Sequence, residues 1–299
     1  MQQSRIGPMA LAALALPSLF WAGNFIVARA ARGEVPPMAL SYGRWLIAGL
    51  CMLPFALPHL RRDAPWYRAN WKLVLGTAVT GVTLFNTLVY LGLRYTNATN
   101  GMLLNSTIPV LILLMGALFM GRPLRGGQAI GLAVSILGVA VIILHGEWSR
   151  LVTLEFSMGD LIIFGAMVSW AIYTLWLTRI PASVNRLGLL TVQIGITLVL
   201  LTPFLIAEIA SGQVPTWSPA AIAALLYVGL VPSVLATLLY MKAVSLAGPA
   251  LAGQSIHLLP LYGALLSTLF LGEELHLYHA IGFALILSGI VIAGRLGKR

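Results

Sequence analysis

Acidic residues are scarce in this chain, with eight Asp and Glu among 299 positions. Asp160, Glu208, Glu273 and Glu274 stand near the ends of apolar runs, and none stands deep inside one. A carrier of organic cations needs a carboxylate at its centre, and a carrier of phosphorylated compounds needs several buried Lys or Arg; neither pattern is present. Charge of either sign is sparse, at 9% of residues against 59% hydrophobic, where a soluble domain carries about 25% charged residues. Too few polar groups remain to cover a surface facing water, so the chain reads as an all-α integral membrane protein. Cysteine is almost missing as well. Cys51 stands alone in an apolar stretch, which excludes an intrachain disulfide, leaves no second thiolate for a metal and suits packing. No G-x-S-x-G elbow or H-E-x-x-H pair occurs, and no buried carboxylate accompanies His257 to make it a general base. Catalysis, cofactors and metals are therefore not expected. Nor is nucleic acid, because the net charge of +10 includes no basic run interleaved with aromatics.

Long apolar runs are what the chain has instead. Stretches of spanning length fall at about 9–29, 37–58, 71–93, 99–120, 127–145, 158–178, 188–208, 218–241, 249–271 and 277–296. Ten transmembrane helices are expected, with short connections rich in Pro, Gly or charge (GEVPP, HLRRDAPWYRAN, GRPLRGG). The first run, MALAALALPSLFWAGNFIVA, opens with the small-residue triplets that would have to follow a signal-peptide core, so it reads as a retained helix.

The chain also repeats itself. FMGRPLRGGQAIGLAVSILGVAVI at 119–142 returns as FLGEELHLYHAIGFALILSGIVIA at 270–293, with Pro109 matching Pro260, Tyr90 matching Tyr240 and Trp21 matching Trp170 at offsets of 149 to 151. Each half, 1–145 and 146–299, thus holds five spans. After an odd number of crossings the second half enters from the opposite side, which gives an inverted-topology repeat. The charges agree. With both termini cytoplasmic, 13 of the 18 basic residues lie inside, including Arg61, Arg62, Arg122, Arg125, Arg186 and Lys242, against Arg29, Arg32, Arg94 and Arg150 outside. The two arginines of GRPLR face the cytoplasm, and their counterparts in GEELH, Glu273 and His276, face out.

Two five-helix halves with LFWAGNF in helix 1, SYGRWLIAGL in helix 2 and FLGEELHLYHAIGFALILSGIVI at the end resemble the drug/metabolite transporter superfamily, EamA type. Within it the chain looks most like the bacterial exporters of aromatic and other amino acids, the YddG type. That resemblance implies an alternating-access carrier with a central cavity in the bacterial inner membrane, exporting amino acids or related neutral or zwitterionic amphipathic metabolites. A multidrug or other metabolite exporter, or a passive channel, is the alternative. The partners implied are a small-molecule substrate and the lipid bilayer, and a monomer fits.

Substrate-binding candidates follow from placement. Trp21 and Asn24 share a face of helix 1, and Trp170 and Tyr173 hold the matching places on helix 6, so aromatic walls are expected about the pseudo-two-fold axis. Space-filling between helices is their plainer role. Phe85, Asn86 and Tyr90 join from helix 3, where Asn86 and Tyr90 are four apart on one face. Pro109 and Pro260 are expected as mid-span hinges, each freeing a carbonyl four residues earlier, beside Asn105 and Ser106 in one half and Gln254, Ser255 and His257 in the other. His257 reads as a hydrogen-bond partner of the substrate rather than a proton carrier, which implies facilitated transport or exchange. Arg44 is costly in lipid and should face the interior. Pairing with helix-end carbonyls or snorkelling outward is its expected role, and a substrate carboxylate is the other partner it offers. Gly131, Gly138, Gly282 and Gly289 mark close helix packing.

Overall fold

Helices built from these apolar runs make up all the regular structure in the computed structural model, which describes residues 8–30, 33–92, 95, 104–105, 107–121, 125–144, 147, 149, 157–271 and 276–296. Of the residues used above, Arg32, Arg94, Ser106, Arg122, Arg150, Glu273 and Glu274 lie outside the described residues, as does the side chain of Arg29. The helices are α1 (Pro8–Ala30), α2 (Pro37–Ala69), α3 (Trp71–Gly92), α4 (Ile108–Met120), α5 (Gly126–Ile143), α6 (Met158–Leu177), α7 (Arg186–Ala210), α8 (Pro219–Ala247), α9 (249–271) and α10 (Leu277–Leu296). By length and composition, α2, α3, α6, α7 and α8 are able to cross a membrane. Large apolar side chains such as Leu50, Phe55, Leu118, Phe119, Val199 and Phe204 point outward, as a lipid solvent permits. Cys51 is on that outer surface of α2, so it does not serve the packing role expected of it.

The stretch HLRRDAPWYRAN, expected as a loop, is helical through Ala69 and extends α2 to 33 residues. At 1.5 Å per residue that is about 50 Å, well beyond a hydrocarbon core of about 30 Å. Pro58 and Pro65 each cost a backbone hydrogen bond here, and tertiary contacts offset the loss. Asp63 accepts from Arg62 at 2.7 and 3.1 Å and from the Asn185 backbone N–H at 2.8 Å, and Arg62 also donates to the Ser183 carbonyl at 3.2 Å. The phenol of Tyr67 packs against Gly188 at the start of α7, and burial pushes it up to about 12. The α2 extension is thereby clamped to the connection between α6 and α7.

The Arg62 guanidinium beside Asp63, and then the Asn185 amide, hold the Asp63 carboxyl below the usual carboxylate range. A group whose folded pKa is depressed contributes stability that is complete above its unfolded value, near 3.9, and lost as pH falls through the folded one. The clamp should therefore be constant from about pH 5 to 8 and weaken only below about pH 4. Asp63→Asn should lower stability by about 1 kcal/mol at neutral pH and flatten the acid limb of the thermal-unfolding profile. An unchanged acid limb would remove Asp63 from this role.

Three pairs of helices share features at the repeat spacing. In α3 and α8 the backbone loosens into a π-helical stretch, at Ala78–Leu84 and Val231–Ala236. Before α4 and within α9 the helix tightens at matching places: the Thr107 N–H donates to the Leu104 carbonyl, and 151 positions later the Leu258 N–H donates to the Ser255 carbonyl. The mid-span kink expected at Pro109 is thus displaced. Pro109 sits in the first turn of α4, where its missing N–H costs nothing, and the interruption precedes it.

The third pair, α5 and α10, crosses at its glycines. A Cβ on Gly131 would meet the Gly289 carbonyl at 2.5 Å, one on Gly138 would meet the Gly282 carbonyl at 2.7 Å, and Ser135 Oγ donates to the Ile286 carbonyl at 3.4 Å. Backbones this close leave no room for a side chain, which is the packing the glycines were expected to provide. The order of the contacts makes the helices antiparallel, and the middle one joins Ser135 to the residue 151 positions on.

Candidate functional site

Five aromatic side chains from four helices meet in the interior. The Trp170 ring on α6 lies 5.3 Å from Trp21 (α1), 4.5 Å from Phe85 (α3), 5.1 Å from Tyr173 on its own helix and 5.2 Å from Tyr240 (α8), and Trp21 lies 5.4 Å from Tyr240. The Trp21–Trp170 pair is edge-on at 88°, a favoured geometry for the ring quadrupoles. Local sequence makes the approach feasible: Tyr173 lies flat on Gly81 in the π-helical stretch of α3, where any Cβ would collide with the ring. The Thr174 and Tyr240 hydroxyls share a hydrogen bond of 2.8 Å, and the indole N–H of Trp21 donates to the Pro232 carbonyl at 3.3 Å. Trp170, Tyr173 and Tyr240 are buried, while Trp21 and Phe85 are half-buried.

A polar group is built from residues on α3 and α8, two helices of the ring cluster. Arg44 on α2 is 2% exposed. Its Nε donates to Ser233 Oγ at 2.8 Å, and its Nη1 donates to Asn86 Oδ1 at 3.1 Å and to the Tyr90 hydroxyl at 2.8 Å. Its guanidinium also lies 5.0 Å from the Trp45 ring centroid. The partners are side chains of α3 and α8, so the expected pairing with helix-end carbonyls, or snorkelling, is replaced by an interior network. Asn86 and Tyr90 do share one face of α3, and both converge on Nη1.

The remaining candidates lie on α1, on α9 and in the residues before α4. Gln254 and His257 are buried in the tightened part of α9, where Ser18 Oγ of α1 donates to the Ser255 carbonyl at 2.8 Å. Asn105 is buried in the helical residues before α4, and Ser106 is outside the described residues. Among the described residues, Asn24, Asn105 and Gln254 make no hydrogen bond to the ring cluster, and Asn24 Oδ1 and Gln254 Nε2 are buried without a partner. Tyr240 was legible only as the repeat mate of Tyr90. Its place against Trp170 depends on how α8 crosses α6, which local sequence does not encode.

The sequence profile of the EamA-like transporter family matches twice, over residues 8–144 and 157–295. The chain belongs to the EamA-like transporter family. Its similarity to individual members runs nearly end to end. An uncharacterized transporter of Archaeoglobus fulgidus is 28% identical over 284 residues, covering 93% of this chain and 95% of that protein. A probable terminal-alkyne amino-acid exporter of Streptantibioticus cattleyicolor is 26% identical, over 96% and 94% of the two chains. An uncharacterized inner membrane transporter of Escherichia coli K12, YedA, is 25% identical over 94% of this chain and 88% of its own. A crystal structure superposes with a TM-score of 0.74 at 21% identity, over 97% of this chain and 96% of the other, and so shares the fold. As an EamA-family member the chain is a membrane transporter with a small-molecule substrate, and its relatives are named as transporters rather than enzymes.

Proposed function

We propose that this EamA-family chain is an alternating-access carrier that exports aromatic or other neutral and zwitterionic amphipathic amino acids across the bacterial inner membrane. The observation that carries this reading is the ring cluster where α1, α3, α6 and α8 meet, flanked by hydrogen-bonding groups on Asn86 and Tyr90. Aromatic faces receive an apolar side chain, and the polar edge receives a charged backbone group. Trp21, Asn24, Phe85, Asn86, Tyr90, Asn105, Trp170, Tyr173, Gln254 and His257 are its proposed contacts, with Ser106 from outside the described residues and Tyr240 added. The amino-acid exporter among the relatives favours the same class of cargo.

The proposed architecture is ten spans in two inverted halves, 1–145 and 146–299, with both termini cytoplasmic. Support comes from the antiparallel α5–α10 contact, in which Gly131 meets the repeat mate of Gly138 and Ser135 meets its own mate. A two-fold axis perpendicular to both helices generates such reciprocal contacts, and when the helices span, that axis lies in the membrane plane. The interruptions beside Pro109 and Pro260 are proposed as hinges, since backbone departing from the regular α-helix absorbs rotation at low cost.

An uptake panel with purified protein in liposomes tests the assignment. Labelled phenylalanine, tyrosine and tryptophan should enter with saturable kinetics, and organic cations should not. Preference for cations would overturn the substrate class, unsaturable flux would indicate a channel, and a new compound inside would indicate an enzyme.

A further inference from the structure

Arg44 is a permanent positive charge in the interior of the bundle, and among the described residues it forms no ion pair. Guanidinium does not deprotonate in proteins, and a charge at membrane depth is expensive unless compensated. The partners in place, Ser233, Asn86 and Tyr90, are neutral acceptors. They use Nε and Nη1, and among the described residues Nη2 donates no hydrogen bond. The acidic groups nearest along α2 are already committed: Glu208 accepts from the Met38 and Ala39 N–H groups at 3.0 and 2.8 Å, and Glu34 accepts from the Ser218 hydroxyl. The network is joined to the rings along the chain at two points. Asn86 follows Phe85 of the ring cluster, and Ser233 follows Pro232, whose carbonyl holds the Trp21 indole.

We propose that Arg44 is the carboxylate anchor of the substrate site, so that cargo must carry a carboxylate beside its apolar group, and amines or alcohols of the same shape are rejected. This rests on the ring cluster being the substrate site, as proposed above. A carboxylate supplies the counter-charge the interior lacks and accepts a charge-assisted hydrogen bond from the open Nη2. Asn86 and Tyr90 position the guanidinium while leaving that edge free. The charge therefore does more than join α2, α3 and α8, a task neutral side chains perform without the cost of a buried cation.

Ligand-dependent thermal shifts of the purified full chain test the anchor, using phenylalanine, 3-phenylpropionate, phenylalaninol, phenethylamine and hexanoate. The native protein should bind the two aromatic carboxylates roughly 10- to 100-fold more tightly than the alcohol and the amine, because a charge-assisted pair is lost with the carboxylate. Arg44→Lys should lose most of that preference, since an ammonium has three donors, enough for Ser233, Asn86 and Tyr90 but with none left for a carboxylate, and Arg44→Gln should erase it. Equal binding of all four aromatic compounds by native protein overturns the anchor whether or not the Gln variant folds, as does a preference undiminished in Arg44→Lys. Hexanoate separates the two readings. If it binds as tightly as 3-phenylpropionate and depends on Arg44, the anchor stands and the aromatic site falls. If aromatic compounds bind with or without a carboxylate, the aromatic site stands and the anchor falls.

Discussion

Trp170→Ala should lower the uptake of aromatic amino acids at least about tenfold, because it removes the one ring that touches all four others in the cluster. Stability suffers too. Truncating a buried Trp costs about 3–5 kcal/mol, so flux has to be normalised to folded protein recovered as a single species after extraction. Trp170→Phe is the discriminating companion: it keeps an aromatic face against Trp21 and Phe85, and should retain about a third or more of the flux with most of the stability. Trp217 is exposed ahead of α8, and Trp217→Ala should leave both readouts unchanged. If Trp21→Ala and Trp170→Ala both fold, and transport and competition by aromatic compounds are unaltered, the cluster is packing and the substrate lies elsewhere.

All-or-none labelling is expected from the proposed topology. In a Cys51→Ser background, single cysteines at Glu147 and Gln213 react with an impermeant maleimide from outside intact cells, whereas cysteines at Arg61 and Arg125 react only after permeabilisation. The physical cause is the basic asymmetry that the proposed topology implies: 13 residues inside against 4 outside would bias the insertion of the chain, since positively charged loops resist translocation. Gln213 and Arg61 are exposed, which keeps their labelling free of burial effects. The opposite pattern at all four positions would reverse the orientation. External labelling at both Glu147 and Arg125, which flank α5, would break the inverted arrangement of the halves.

The parts of this fold legible in sequence are those set by local transfer energies. Apolar length gave helix positions close to those observed for α1, α3, α6, α7 and α10, and glycine spacing marked the α5–α10 crossing. Where the outcome depends on distant partners, the reading failed. The stretch 59–69 carries Pro65 and several charges, yet it is helical because Asp63 and Tyr67 find partners on α7 and the segment before it. Pro109 marked an interruption but not its position, since the break lies on its N-terminal side. The site divides in the same way. Pairing Trp21 with Trp170 needed only the repeat, and the two rings do touch. Arg44 was expected to face the interior and does, but recruiting Tyr240 and giving Arg44 its side-chain partners required knowing how α8 packs against α2 and α6, and the π-helical stretch that presents Ser233 leaves no mark in composition.

Counterflow in proteoliposomes addresses the central claim, a carrier whose binding site is occupied from one side at a time. Vesicles containing the native protein are loaded with unlabelled phenylalanine and diluted into a trace of labelled phenylalanine. An alternating-access carrier accumulates label transiently above its equilibrium level, because returning sites are filled with unlabelled substrate from inside. Overshoot in the native protein, absent in Trp170→Ala vesicles with matched protein content, is the predicted result. Label that rises only to equilibrium, at a rate indifferent to the unlabelled load, would contradict the account.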